Sequence, residues 1–141
     1  MKQPIAVMAF AVLALGGWQR LTPQTTRSVW DGIYSKGQAA KGAGLYAQEC
    51  ASCHGTSLTG GESAPPLAGG DFISNWEGLT IGDLFDRMRT TMPATRPGGL
   101  NREINAAILA YMLEMNQYPS GEAELQLQSE FLKQIALDRK K

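Results

Sequence analysis

The side chains best equipped for chemistry are gathered in Cys50-Ala51-Ser52-Cys53-His54. The chain has two cysteines and one histidine, and all three fall within these five residues. Two thiols at this separation match the two vinyl groups along one edge of a haem, and the imidazole that follows is delivered to one face of the iron. Cys-x-x-Cys-His is the spacing of c-type haem attachment, with axial His or Met ligands holding the metal. Other uses of paired thiols fit less well. A thioredoxin-type pair needs a strand before it and a helix after it, yet Gly55 to Gly61 reads as a loop. Structural zinc needs four ligands, usually from two pairs, and there is no second pair. A plain disulfide between Cys50 and Cys53 would leave His54 without a role.

The other face of the iron decides the function. An open position binds small molecules or peroxide, whereas one filled by a strong protein ligand mainly passes electrons. With no second histidine, the candidates are six methionines. Met1 and Met8 lie in an apolar amino-terminal run, and Met88, Met112 and Met115 recur at helical core spacing, where methionine commonly fills gaps. Met92 differs because it follows a helix and precedes Pro93. The residue before a proline is biased toward extended backbone, so a rigid loop presents this side chain, with enough chain after His54 to reach the far haem face. A neutral, soft thioether favours ferrous iron and raises the potential relative to two imidazoles. Met88 is the alternative.

At 141 residues, with 13 basic and 13 acidic side chains, the chain makes one small neutral domain plus a leader. No basic stripe exists, which argues against a nucleic-acid partner. A core of this size is marginal alone, and a buried porphyrin would enlarge it. Met1-Lys2 and the apolar run from Pro4 to Gly17 have the form of a secretory signal. It is assigned to residues 1–22, with the cleavage point open because no Ala-x-Ala site precedes Trp18. The run is shorter than the roughly 20 residues that cross a bilayer comfortably. A buried first helix and an uncleaved leader serving as a membrane anchor are the alternatives. Loss of the leader would remove Lys2 and Arg20 and tip the balance mildly acidic.

Residues 23–35 read as an extended lead-in whose Trp30 and Tyr34 pack onto the domain. Ser35 caps a helix from Lys36 to Glu49, with Ala39, Ala43, Tyr46 and Ala47 as its apolar side and Cys50 at its end. Gly42 and Gly44 weaken that helix, so a glycine here signals close approach by another helix. Residues 55–79 show no periodicity and read as a loop; loops this long usually wrap something or act. Thr80 and Asp83 form a capping box for a helix with Ile81, Leu84, Phe85 and Met88 at helical spacing. A second loop, 90–100, carries Met92. Asn101 caps a further helix with Ile104, Ala107, Ile108, Tyr111 and Met115 recurring, stopped by Asn116 and Pro119. Residues 120–141 form an extension in which Leu125, Leu127, Phe131, Leu132 and Ile135 suggest an amphipathic segment folded back. The class is all-α with long loops.

These features resemble a class I monohaem cytochrome c, and are especially similar to bacterial periplasmic members that serve quinoprotein dehydrogenases or respiratory chains. The resemblance runs from Val29 to Ile135. It rests on Cys50 to Gly55, the Ala64 to Gly69 loop, Thr91-Met92-Pro93 with Pro97-Gly98, and Ala110-Tyr111-Met112-Leu113. It implies three core helices with long loops around one covalently bound haem c, with 36–119 as the cytochrome c domain. It also implies that Gly42 and Tyr46 cross against Ile108 and Tyr111. The carbonyl of Pro65 would accept a hydrogen bond from the His54 nitrogen that does not touch iron, and Trp76 would sit near a haem propionate.

The implied role is a periplasmic electron carrier, not an enzyme, with iron cycling between Fe(III) and Fe(II). Its partners would be redox proteins such as a quinoprotein dehydrogenase, a terminal oxidase or another cytochrome. Electrons would pass at a thioether edge rimmed by Ala51, Leu58, Met92, Pro93 and Ala94. The chain lacks the lysine-rich face of mitochondrial members, and its segment after Pro119 exceeds the minimal fold. Two rivals stand beside this role. A haem enzyme or gas sensor would need an open sixth site with a distal acid–base group, for which Arg96 is the stand-in. A permanent cytochrome subunit of a dehydrogenase or oxidase complex would share the chemistry and differ in binding lifetime.

Overall fold

Helix α1 (Lys36–Glu49) and helix α5 (Arg102–Met115) cross where Gly42 has no side chain to keep them apart. A Cβ added to Gly42 would lie 1.8 Å from the carbonyl oxygen of Ala107, so the helices meet backbone to backbone. One turn further on, the rings of Tyr46 and Tyr111 are 5.4 Å apart between centroids, and Ile108 is buried beside them. Each helix starts on a local cap: the Ser35 hydroxyl accepts from the Gln38 amide at 3.1 Å, and Asn101 Oδ1 accepts from the Ile104 amide at 2.8 Å. Such caps satisfy amides that the first turn leaves without partners.

The computed structural model of the chain describes residues 27–139. The leader assigned to 1–22 and the first part of the lead-in lie outside the described residues. Within them, β1 (Arg27–Ser28) precedes a single 3-10 turn at Val29–Asp31, and α1 follows. Then come α2 (Ala51–His54), α3 (Gly70–Trp76), α4 (Ile81–Thr91), α5, α6 (Ser129–Leu132) and β2 (Ile135–Ala136). Helix α4 begins on the expected capping box, with the Thr80 hydroxyl taking the Asp83 amide at 3.1 Å and the Asp83 carboxylate taking the Thr80 amide at 3.0 Å. Val29, Tyr34, Phe72, Phe85, Leu109, Leu113, Leu132 and Leu137 join one core drawn from both ends of the described chain. Among the described residues no helix is long and apolar enough to cross a membrane.

Several expectations need correction. The stretch 55–79 is not all loop, because α3 occupies seven of its residues and buries Phe72; a helix that short cannot display a period. The mostly helical fold also holds a parallel two-residue ribbon, Arg27 facing Ile135 and Ser28 facing Ala136, too short for strand alternation to show. On α1, Ala47 is exposed and the polar Gln38 is buried in its place. The Gln38 amide pairs at both ends there: its Oε1 accepts from the Leu125 amide at 2.7 Å and its Nε2 donates to the Leu125 carbonyl at 3.4 Å. Met115, read as a core position, is 39% exposed.

The carboxyl-terminal residues return along the domain without a long helix. The Gly121 amide donates to the Tyr34 carbonyl at 2.7 Å, and the Tyr34 hydroxyl donates to the Tyr118 carbonyl at 2.6 Å. Burial, with Glu114 adding to it, pushes the Tyr34 hydroxyl up to about 12. Burial does the same for Tyr46, whose hydroxyl donates to the Gly55 carbonyl at 2.7 Å.

Two expected outcomes follow from this packing. Gly42→Ala forces the α1–α5 crossing apart and should cost at least the roughly 1–3 kcal/mol of an overpacked core, read as a lower urea midpoint. The tyrosines favour the fold while neutral, so their contribution is complete below the unfolded phenol value of about 10 and is lost as pH climbs through about 12. Denaturant midpoints should therefore fall across that interval, and Tyr34→Phe should flatten the fall while costing about 1 kcal/mol at neutral pH from its lost hydrogen bond.

Candidate functional site

Cys50 ends α1, its amide donating to the Tyr46 carbonyl at 2.9 Å, and at once begins α2. The amides of Cys53 and His54 both donate back to the Cys50 carbonyl, at 3.2 and 3.0 Å. One helical turn therefore carries both thiols, and residues three apart on a helix share a face. Cys50 is half-buried and Cys53 exposed, and they are not joined by a disulfide. Burial, with Glu49 and Cys53 adding to it, pushes the Cys50 thiol up to about 11, so before any attachment it is a neutral thiol at pH 7.

The turn closes at Gly55, whose φ of +78° lets the chain reverse, and the Gly60 amide returns to the His54 carbonyl at 2.9 Å. Leu58 anchors the reversal from inside. It is 0% exposed, and its carbonyl takes the amides of Leu67 and Ala68 at 2.8 and 3.2 Å. Leu58 is thus a core residue, not part of an exposed rim. The folded-back loop sets the Pro65 carbonyl 2.8 Å from His54 Nδ1. A carbonyl oxygen only accepts, so Nδ1 carries the proton and Nε2 keeps a free lone pair for a metal. His54 is 8% exposed, so most of its surface is packed within the protein.

Met92 caps the carboxyl end of α4 with extended backbone (φ −118°, ψ 154°), as its position before proline requires, and the Met92–Pro93 peptide is cis. His54, Pro65 and Met92 all line one crevice with two lobes of about 340 and 320 Å³. Cys50, Cys53, Pro93 and Ala94 line one lobe; Trp76, Leu79, Leu84, Met88 and Met112 line the other. Each lobe is in the roughly 300–1,000 Å³ range of small-molecule pockets. Both thiols and the imidazole of the attachment motif line this crevice, with a thioether among its other lining residues, so the residues fit a covalent haem.

Other residues at the crevice carry no period or motif that would reveal them. Asn75 and Arg87 line the same lobe as half-buried Trp76. Met88 packs against the core and also lines this lobe, one turn before Met92. Asn116, read only as a helix stop, clamps the Pro65 loop to α5. Its Nδ2 donates to the carbonyls of Leu67 and Met112 at 3.0 and 2.8 Å, and its Oδ1 accepts from the Gly69 amide at 3.0 Å. Arg96 is ion-paired with Glu49 and donates to the Gly99 carbonyl at 3.0 Å, tying the loop after Met92 to the residue before Cys50. Among the described residues, a larger cavity of about 550 Å³ between Trp30, Asp71, Gln117 and Arg139 has no cysteine, histidine or methionine on its wall.

Comparison with known proteins agrees with this geometry. The profile of the family described as cytochrome c oxidase, cbb3-type, subunit III matches residues 37–112, more than half of the chain. No curated protein sequence matches. Among solved structures, the sulfane dehydrogenase SoxCD from Paracoccus pantotrophus is similar, with 24% identity over 96% of this chain and 68% of that one, at a TM-score of 0.50. That likeness speaks to the fold. The matched span contains the whole Cys50–His54 turn, the Pro65 loop and Met92, and the chain belongs to this cytochrome c family: a class I monohaem cytochrome c that carries covalently bound haem c for electron transfer.

Proposed function

We propose that the chain is an exported, single-haem electron carrier. In this reading Cys50 and Cys53 would form the thioethers, and His54 and Met92 would hold the iron. The observation that carries it is that His54 and Met92 line one crevice while the other imidazole nitrogen is committed to the Pro65 carbonyl at 2.8 Å. When bound, the haem supplies an iron that alternates between ferric and ferrous states.

The protein's own residues make that exchange easy. The Pro65 hydrogen bond fixes the imidazole ring and strengthens its lone pair. Leu84, Met88 and Met112 keep water out of one lobe, and Trp76, Asn75 and Arg87 supply N–H donors there for the two propionates. Ala51 and Pro93, both half-buried, and exposed Ala94 form the rim at the thioether edge. A weak net charge, zero for the whole chain and mildly acidic without residues 1–22, suits brief, mostly apolar docking with modest salt sensitivity. The partner is a redox protein such as a dehydrogenase or a respiratory complex. Export rests on the basic start and apolar run of residues 1–17.

An open-site enzyme finds little support. Its distal stand-in, Arg96, is engaged by Gly99 and by Glu49, which lines the other lobe, and among the described residues no carboxylate lines the lobe with Trp76 and Met88. The permanent-subunit reading has one point in favour, since the family description names a subunit of an oxidase. Size-exclusion chromatography of a native extract separates a free carrier, eluting near its own mass of 15.2 kDa or less, from a bound subunit.

Visible spectra test the ligand assignment. Ferric wild type should show a weak red-region sulfur-to-iron band and bind carbon monoxide slowly when reduced. Met92→Ala should lose the band and bind carbon monoxide promptly, while Met88→Ala keeps the wild-type behaviour. Retention in Met92→Ala with loss in Met88→Ala would move the ligand one turn up α4.

A further inference from the structure

The far wall of the crevice is held from behind. Residues 129–139 lie across α4 and the corner before it, and they join that corner by main-chain bonds. The Leu137 amide donates to the Leu79 carbonyl at 2.9 Å and the Gly78 amide donates to the Leu137 carbonyl at 3.3 Å. Gly82 lets the segment sit directly on α4: a Cβ there would be 2.6 Å from the Lys133 nitrogen and 2.9 Å from its Cα. Leu132 and Leu137 are both fully buried.

Between them stands Asp86, on α4. Its Oδ1 accepts from the Ser129 hydroxyl at 2.6 Å, its Oδ2 pairs with Lys133 Nζ at 3.2 Å, and Arg89 approaches Oδ1 at 3.5 Å. Burial alone would raise this carboxyl, but Ser129, Lys133 and Arg89 outweigh it and hold it below the usual carboxylate range.

The opposite side of the same helix lines the crevice with Leu84, Arg87 and Met88 and ends at Met92; Trp76 and Leu79 come from the gripped corner. The Cys50–His54 turn, by contrast, is fixed by the α1–α5 crossing. The two walls share α5 and the Arg96–Glu49 pair across the mouth, but only the α4 wall is also gripped by residues 129–139. We infer that residues 129–139 are a strap that presses α4, and with it Met92, toward the crevice, with Asp86, Ser129 and Lys133 as positioning residues. This rests on Met92 being the sixth ligand. An exogenous ligand binds only those molecules whose Met92 has let go, so its apparent affinity scales with that fraction.

The test titrates imidazole into the ferric holoprotein. Asp86→Ala should tighten the apparent imidazole affinity by about three- to tenfold, weaken the red-region sulfur band and lower the midpoint potential. Ser129→Ala, which removes one contact and no charge, should move each readout in the same direction by less, and decides the matter if Asp86→Ala does not assemble. Glu122→Gln, an exposed carboxylate away from the strap, should match wild type. If the variants lose thermal stability while imidazole affinity stays within about twofold of wild type, the strap is structural only and the inference falls. If wild type itself shows no sulfur band and binds imidazole as tightly as Met92→Ala, the ligand assignment falls and takes the strap with it.

Discussion

One imidazole proton has to be placed, and much of the site is arranged to place it. His54 is the chain's only histidine and is buried, so its Nδ1–H needs an acceptor inside the protein. The acceptor is a backbone carbonyl, which cannot be lost through side-chain motion and cannot donate in return. Bringing it there takes a chain reversal at Gly55, a buried Leu58 at the hinge, and Asn116 clamping the returning strand to α5. Each part serves the same end: one ring nitrogen is spoken for, and the other is left with a lone pair facing soft, apolar surroundings.

The crevice is assembled from two halves of different character. The attachment half is stiff. Its turn continues directly from α1, and α1 is locked against α5 by a contact so close that no side chain fits at Gly42. The opposite half is a corner and one helix carrying Trp76, Leu79, Leu84, Met88 and the methionine at its end. It owes its position to pieces from elsewhere, among them the carboxyl-terminal strap and the Arg96–Glu49 pair across the mouth. In the proposed carrier this division would be useful: covalent bonds would hold the group on one side, while non-covalent packing would set Met92 on the other and could be tuned without disturbing attachment.

Charge plays a small part. The chain is neutral overall, and the carboxylate of Asp86 and the guanidinium of Arg96 spend themselves on internal partners. In the proposed carrier, recognition by a redox partner would then fall to shape and apolar contact around Ala51, Pro93 and Ala94.

What the sequence determined by itself is whatever depends on neighbours in the chain. The thiol spacing and the imidazole beside it are local, as are the caps at Ser35, Thr80 and Asn101 and the extended backbone imposed on Met92 by Pro93. Gly42 also announced a helix crossing, because a glycine inside a helix needs a reason. Tertiary structure alone decided the rest. It buried Gln38 instead of Ala47, turned Met88 toward the crevice, sent Leu58 inward, formed α3 and the ribbon, and set Asp86 against the strap. Those outcomes depend on partners from many residues away, whose hydrogen bonds and buried surface exist only once the chain has folded back, and no local period or propensity encodes them.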